Sequence, residues 1–90
     1  MNRNYLQVTY RNGRPFAAYL YLPRKLGDKS VKTVKCEGGL LLDYAEDGRP
    51  IGLEIVSPWT TSVEAINRAL ASANVESIGE QDLRPLLSAA

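Results

Sequence analysis

The chain contains no histidine, one cysteine (Cys36), one methionine (Met1) and one tryptophan (Trp59). Without histidine the commonest ligand for zinc and copper is missing, and a lone thiolate cannot complete a tetrahedral metal site. The same gap removes any Ser–His–Asp or Cys–His arrangement from a single chain. A single cysteine excludes an intrachain disulfide framework and points to a reducing cytoplasm. No apolar run of signal-peptide length follows Met1-Asn2-Arg3-Asn4-Tyr5. Nor does any stretch reach the roughly 18 apolar residues that mark a membrane span. The chain reads as soluble, intracellular and cytoplasmic, with no cofactor, no metal and no membrane partner expected.

The composition that remains is that of one small domain, residues 1–90, with a β-sheet part over 1–57 and a helical part over 60–88. Hydrophobic residues make up 44 % and charged residues 23 %. These values exclude a disordered tail, a collagen-like chain and a membrane protein. A chain of 90 residues buries only about 60–65 % of the surface its unfolded form exposes, which leaves it marginal alone and favours self-association.

Charge is uneven along the chain. Residues 1–36 carry Arg3, Arg11, Arg14, Arg24, Lys25, Lys29, Lys32 and Lys35 against Asp28 alone, about +7 in all, and residues 37–90 come to about −6. Two readings follow: solvated faces that attract one another within the fold, or a basic hairpin-and-loop surface that meets an acidic partner, nucleic acid or protein.

Asn4–Tyr10 and Phe16–Leu22 alternate as strands around Arg11-Asn12-Gly13-Arg14-Pro15. A two-residue Asn-Gly turn puts Val8 opposite Ala17 and leaves Phe16 and Leu20 on the wrong face. A three-residue loop, Arg11-Asn12-Gly13, instead pairs Val8 with Phe16 and gathers Leu6, Val8, Phe16, Ala18, Leu20 and Leu22 on one side. Tyr5, Gln7, Thr9, Tyr19 and Tyr21 take the other. Val31–Cys36 suits a short strand, with one helical turn as the alternative. Gly39–Tyr44 and Ile51–Val56 make a second hairpin around Ala45-Glu46-Asp47-Gly48, with Gly48 at positive φ, Leu42 opposite Ile51 and Leu40 opposite Leu53. Thr61-Ser62-Val63-Glu64 has the capping-box pattern, with Thr61 as the cap. The helix behind it runs to about Ala73 and lines up Val63, Ile66, Ala69, Leu70 and Ala73, and Asn74 stops it. A shorter helix is expected over Glu80–Ser88, with Pro85 in its first turn. The fold class is α+β: a twisted antiparallel sheet of four to five strands in two hairpins, one packed helix and a short C-terminal helix.

The second hairpin, Gly39-Leu40-Leu41-Leu42-Asp43-Tyr44, Asp47-Gly48-Arg49 and Ile51-Gly52-Leu53-Glu54-Ile55, resembles the small bacterial family catalogued as domain of unknown function 2283. The likeness extends upstream through Tyr19–Leu22 to Tyr10 and covers about residues 8–57. At its first turn the chain departs from the family, which usually has acidic residues where Arg11 and Arg14 stand. The resemblance implies a small sheet-and-helix domain and a bacterial origin. It assigns no activity and admits an antitoxin-type role.

No catalytic residue is singled out. Asp43 and Glu54 share a face of adjacent strands, yet two carboxylates are too few for a Mg²⁺ or Ca²⁺ cage. The structural alternative has Asp43 bonded to the turn's backbone N–H groups and Glu54 to Lys32 or Lys35. Gly52 reads as a close approach or a bulge, and Cys36 as a small apolar strand residue. Tyr5, Tyr19 and Tyr21 form an aromatic stripe that a protein partner, a covering helix or loop, or stacked bases could occupy. The expected function is non-enzymatic: self-association as a homodimer, or binding of a protein partner, through this stripe. The alternative is nucleic-acid binding through Arg11, Arg14, Arg24, Lys25, Lys29, Lys32 and Lys35.

Overall fold

Alternating apolar residues on five segments build one antiparallel sheet. The computed structural model describes residues 3–87. Its strands are β1 (Tyr5–Arg11), β2 (Arg14–Tyr21), β3 (Lys32–Cys36), β4 (Leu40–Tyr44) and β5 (Pro50–Ile55), in the spatial order β1-β2-β5-β4-β3. The segment open between strand and helical turn is therefore a strand, and it forms one edge of the sheet. Helix α1 (Val63–Ser72) and a C-terminal segment follow. The expected α+β class is what the structure has.

Both hairpins reach the expected facing by an unexpected route. The first turn is a two-residue one, with positive φ at Asn12 (54°) and Gly13 (76°), the geometry that matches the natural twist of a hairpin. The parity problem this creates is removed by a bulge. Thr9 pairs with Ala17 and Tyr10 with Pro15, so Phe16 is the extra residue. Val8 then faces Ala18 and Leu6 faces Leu20. Phe16 leaves the core set and is 45 % exposed, while Leu20 and Leu22 are buried. In the second hairpin Leu42 pairs with Leu53 and Leu40 with Ile55, two residues away from the expected register. The last ladder pair is Tyr44–Pro50, so five residues and not four separate the strands, and the Ala45 N–H closes that loop by donating to the Arg49 carbonyl. A second bulge, beside Asp43 and Tyr44, takes up Ile51. A shift of two keeps every side chain on its face, so Leu40, Leu42, Leu53 and Ile55 remain in the core.

α1 covers that apolar face with Ile66, Ala69 and Leu70. Its cap is Ser62, whose Oγ accepts the Ala65 N–H at 3.1 Å. The expected cap, Thr61, lies one residue too early, and its Oγ1 is buried without a hydrogen-bond partner among the described residues. Asn74 does end the helix, at φ 59°. The Asn74 N–H donates to the Ala71 carbonyl and the Val75 N–H to that of Leu70, the paired bonds of a Schellman stop. Asn67 then clasps the backbone of Ile78 from both sides (2.7 and 3.0 Å), which holds Ile78 in the core. The second helix is shorter than expected. Glu80–Leu83 is a 3₁₀ turn and only α2 (Arg84–Leu87) is α-helical, with Leu83 and Leu86 buried; Ser88 lies outside the described residues. No described helix is long and apolar enough to cross a membrane.

Between β2 and β3 the chain crosses the end of the β4–β5 hairpin, and one arginine ties the two together. Arg49 Nη2 meets Asp28 Oδ1 and Arg49 Nε meets Asp47 Oδ2, each at 2.8 Å. This pairing between the two halves of the chain runs against their charge bias, since the cation comes from the acidic half and the anion from the basic one. The Arg49 guanidinium holds both carboxyls below the usual aspartate range. As the pH falls, the unfolded chain takes up these protons first. The stabilisation is thus present above the ordinary carboxylate value of about 4 and is lost below it. Arg49→Met should lower the melting temperature at neutral pH and have little effect at about pH 2.5. An equal loss at both pH values, read by thermal melts, would refute the linkage.

Candidate functional site

The helices occupy one side of the sheet. On the other, the register sets out two rows across all five strands: Tyr5, Tyr21, Gly52, Asp43, Thr33, and beside it Gln7, Tyr19, Glu54, Leu41, Lys35. The three tyrosines expected to form a stripe do come together. The Tyr19 and Tyr21 ring centres are 4.7 Å apart and those of Tyr5 and Tyr21 5.8 Å, all tilted, an arrangement that aromatic quadrupoles favour. Tyr5 is 55 % exposed, and Tyr19 and Tyr21 are half-buried.

Gly52 makes this arrangement possible. The Tyr19 ring lies across it, where a Cβ would collide with the ring, so the expected close approach is a side chain crossing from β2. From there the Tyr19 hydroxyl donates to Asp43 Oδ2 at 2.6 Å. The Thr33 hydroxyl donates to the other oxygen, also at 2.6 Å. Arg24 closes the cluster from the loop after β2. Its Nε donates to the Ile51 carbonyl at 3.2 Å, its Nη2 lies 3.4 Å from the Tyr19 hydroxyl, and its guanidinium sits 4.9 Å from the Tyr21 ring centre. The Tyr21 hydroxyl donates to Gln7 Oε1 at 3.0 Å. Burial, and then the bond to Asp43 and its negative charge, push the Tyr19 phenol well above its ordinary value against the opposing pull of Arg24.

Asp43 therefore does not bond the turn's N–H groups as expected. Both its oxygens accept side-chain hydroxyls instead, because the register places Thr33 directly opposite and Tyr19 within reach over the glycine. Glu54 stands diagonal to Asp43 and exposed, and it makes no ion pair with Lys32 or Lys35. Among the described residues no three of Cys, Asp and Glu come together as a metal site would require. Cys36 is half-buried on the helix side of β3, and burial raises its thiol pKa.

The seven cations proposed for nucleic acid do not form one surface. Arg11 and Arg14 face each other across the first turn, and Arg24 belongs to the tyrosine cluster. Lys25 and Lys29 ride on the loop at the opposite end of the strands. Lys32 and Lys35 lie on opposite faces of the edge strand β3, opposite Tyr44 and Leu41 respectively. Sequence reasoning placed Gln7 beside the tyrosines, where it lies opposite Tyr19, but missed Thr33 and Arg24 as parts of the tyrosine face; pairing β3 with β4 one residue at a time would have found Thr33. Comparison of the chain with protein-family models, with curated proteins and with solved structures gives no match.

Two outcomes test this cluster. Gly52→Ala must expel the Tyr19 ring and break its bond to Asp43, at a cost of about 1–3 kcal/mol. In a Tyr19→Ala background the same change meets no ring. It should there be neutral or stabilising, because an interior strand glycine is itself unfavourable. An equal penalty in both backgrounds, from denaturant melts, would remove Tyr19 as the reason for the glycine. In an alkaline absorbance titration Tyr19 should ionise well above the ordinary phenol value of about 10, and Asp43→Asn should lower that midpoint.

Proposed function

We propose that this protein acts by association and not by chemistry, and that its working surface is the tyrosine face of the sheet, occupied first by a second copy of the chain. The observation that carries this reading is the uncovered face itself. Three tyrosine rings, Leu41 and the 45 %-exposed Val56 lie on the side of the sheet opposite α1, and the hydroxyls of Tyr19 and Tyr21 are already partnered within the chain. Such a surface offers apolar area without a large desolvation penalty, and tyrosine tolerates both the wet and the buried state. The missing histidine and the purely structural duties of Asp43, Thr33 and Arg24 support a non-enzymatic role. Under the same reading the chain is a bacterial, cytoplasmic protein of the domain of unknown function 2283 type, and an antitoxin-like role would use this face against another protein.

A two-fold axis along the central strand β5 lays β2 of one copy over β4 of the other. Tyr19 and Tyr21 then meet Leu41 and Asp43, and the contact is self-complementary, as a closed dimer requires. The same axis brings the two Glu54 side chains near one another, where like charges oppose association. Glu54→Gln should therefore tighten the dimer, and Tyr21→Ala should weaken it by about ten-fold or more. Light scattering on size-exclusion fractions over a concentration series reads both. A strict monomer at high micromolar concentration, or a Glu54→Gln variant that associates less well, would sink this reading.

A further inference from the structure

The end of the sheet beyond the first turn carries a second surface, built by the bulge in β2. The extra residue, Phe16, leaves the core and stands 45 % exposed, although a buried Phe would contribute to folding. Bulges commonly re-aim a side chain in this way. Beside it a 3₁₀ turn, Pro58–Thr60, presents Trp59 at 65 % exposure. The turn is firmly seated: Pro58 is buried, and both the backbone N–H and the hydroxyl of Thr60 donate to the Ser57 carbonyl. Pro15, also buried, stiffens the strand below Phe16. Pro15, Phe16 and Trp59, with Arg11, Asn12 and Arg14, line an open groove of about 410 Å³, within the size range of ligand sites.

The charges in this groove are all of one sign, whereas the tyrosine face carries Asp43 and Glu54 as well as Lys35. No carboxylate lines it, and neither Arg11 nor Arg14 forms an ion pair among the described residues. Arg11 lies over the Phe16 ring at 5.3 Å instead. Two exposed rings call for a flat π partner, and two guanidiniums call for an anion. A nucleotide supplies both in every repeat of a single strand: the base stacks and the phosphate meets the guanidinium. An acidic peptide satisfies the cations and leaves the rings idle. Duplex DNA hides its base faces. We propose that the Arg11/Arg14/Phe16/Trp59 groove binds single-stranded nucleic acid, one or two nucleotides at a time, independently of the association face.

Trp59 is the single tryptophan of the chain, so its fluorescence reports this site alone. Titration with a short single-stranded oligonucleotide at low salt should quench it. With two phosphate contacts the slope of log affinity against log salt is about −1.4. Arg11→Gln with Arg14→Gln should abolish that slope, and Phe16→Ala should lower affinity about ten-fold, near the stacking contribution of one base. All three side chains are exposed, and circular dichroism checks that each variant stays folded. The oligomeric state should be unchanged in every one of them, which separates failure of this site from failure of the tyrosine face. Absence of quenching, equal binding of polyglutamate, or tighter binding of the matched duplex would each overturn the assignment.

Discussion

Side chains alternate along a strand, so a slip of one residue in either hairpin turns an entire apolar set toward water. The rest of this structure depends on how that constraint is met. In the first hairpin Phe16 is taken up by a bulge, and in the second Ile51 is. Each bulge lets the turn keep its preferred geometry while the strand keeps its facing. The forces involved are unequal. A one-residue slip of β4 and β5 would expose Leu40, Leu42, Leu53 and Ile55, all now almost fully buried. At about 1.5–3 kcal/mol for each side chain, that loss rivals the whole stability of a small domain, about 5–15 kcal/mol. Against this, a locally disrupted ladder is a minor cost, and the bulges persist.

The same arithmetic leaves one face of the sheet without a cover. A ten-residue helix is about 15 Å long, and five strands span about 19 Å between their outer axes. α1 together with Ile78, Leu83 and Leu86 is enough for one side only. The other side is assembled from groups that tolerate water and bind one another. Gly52 creates a flat floor, Tyr19 lies on it, and Asp43 receives the hydroxyls of Tyr19 and Thr33. Such a layer stabilises the sheet through hydrogen bonds and ring contacts while still presenting apolar area. A fully apolar face would aggregate, and a fully charged one would offer a partner little to hold.

How far this was legible in the amino-acid sequence varies with the range of the interaction. Periodicity placed the five strands, α1 and, apart from Phe16 at the bulge, both faces, because facing depends only on parity within an unbroken segment. The stop at Asn74 and the positive φ at Gly48 are local matters of backbone chemistry, and they too were readable. Register was not. The expected three-residue loop and the expected Leu42–Ile51 pairing both assumed unbroken ladders, whereas a bulge changes pairing without leaving a distinctive residue type. The capping box failed by one position because Thr61 and Ser62 are chemically equivalent caps, and only the backbone course after Pro58 selects between them. At the candidate site the tyrosine stripe followed from alternation. The Asp43 bonds did not, since they require knowing that β3 lies beside β4 and β2 beside β5.

The two surfaces differ in kind, and the difference has a physical origin in the bulge. On the tyrosine face every hydroxyl described above has an acceptor, the Asp43 carboxylate has two donors, and Arg24 is seated on rings and a carbonyl. Its exposed charges, Glu54 and Lys35, are of opposite sign, so recognition falls chiefly to shape and apolar contact, which suits a second sheet of the same kind. At the first turn Arg11 and Arg14 have no carboxylate among the described residues, and Phe16 is held out of the core. Electrostatic attraction is therefore still available to an incoming anion. Along β1, four residue steps of about 3.4 Å separate Arg11 from Gln7 in the nearer row of the tyrosine face, about 14 Å, which is beyond the Debye length of about 8 Å at physiological salt. At that separation neither surface feels the other's charge, and a substitution at one should leave binding at the other as it was.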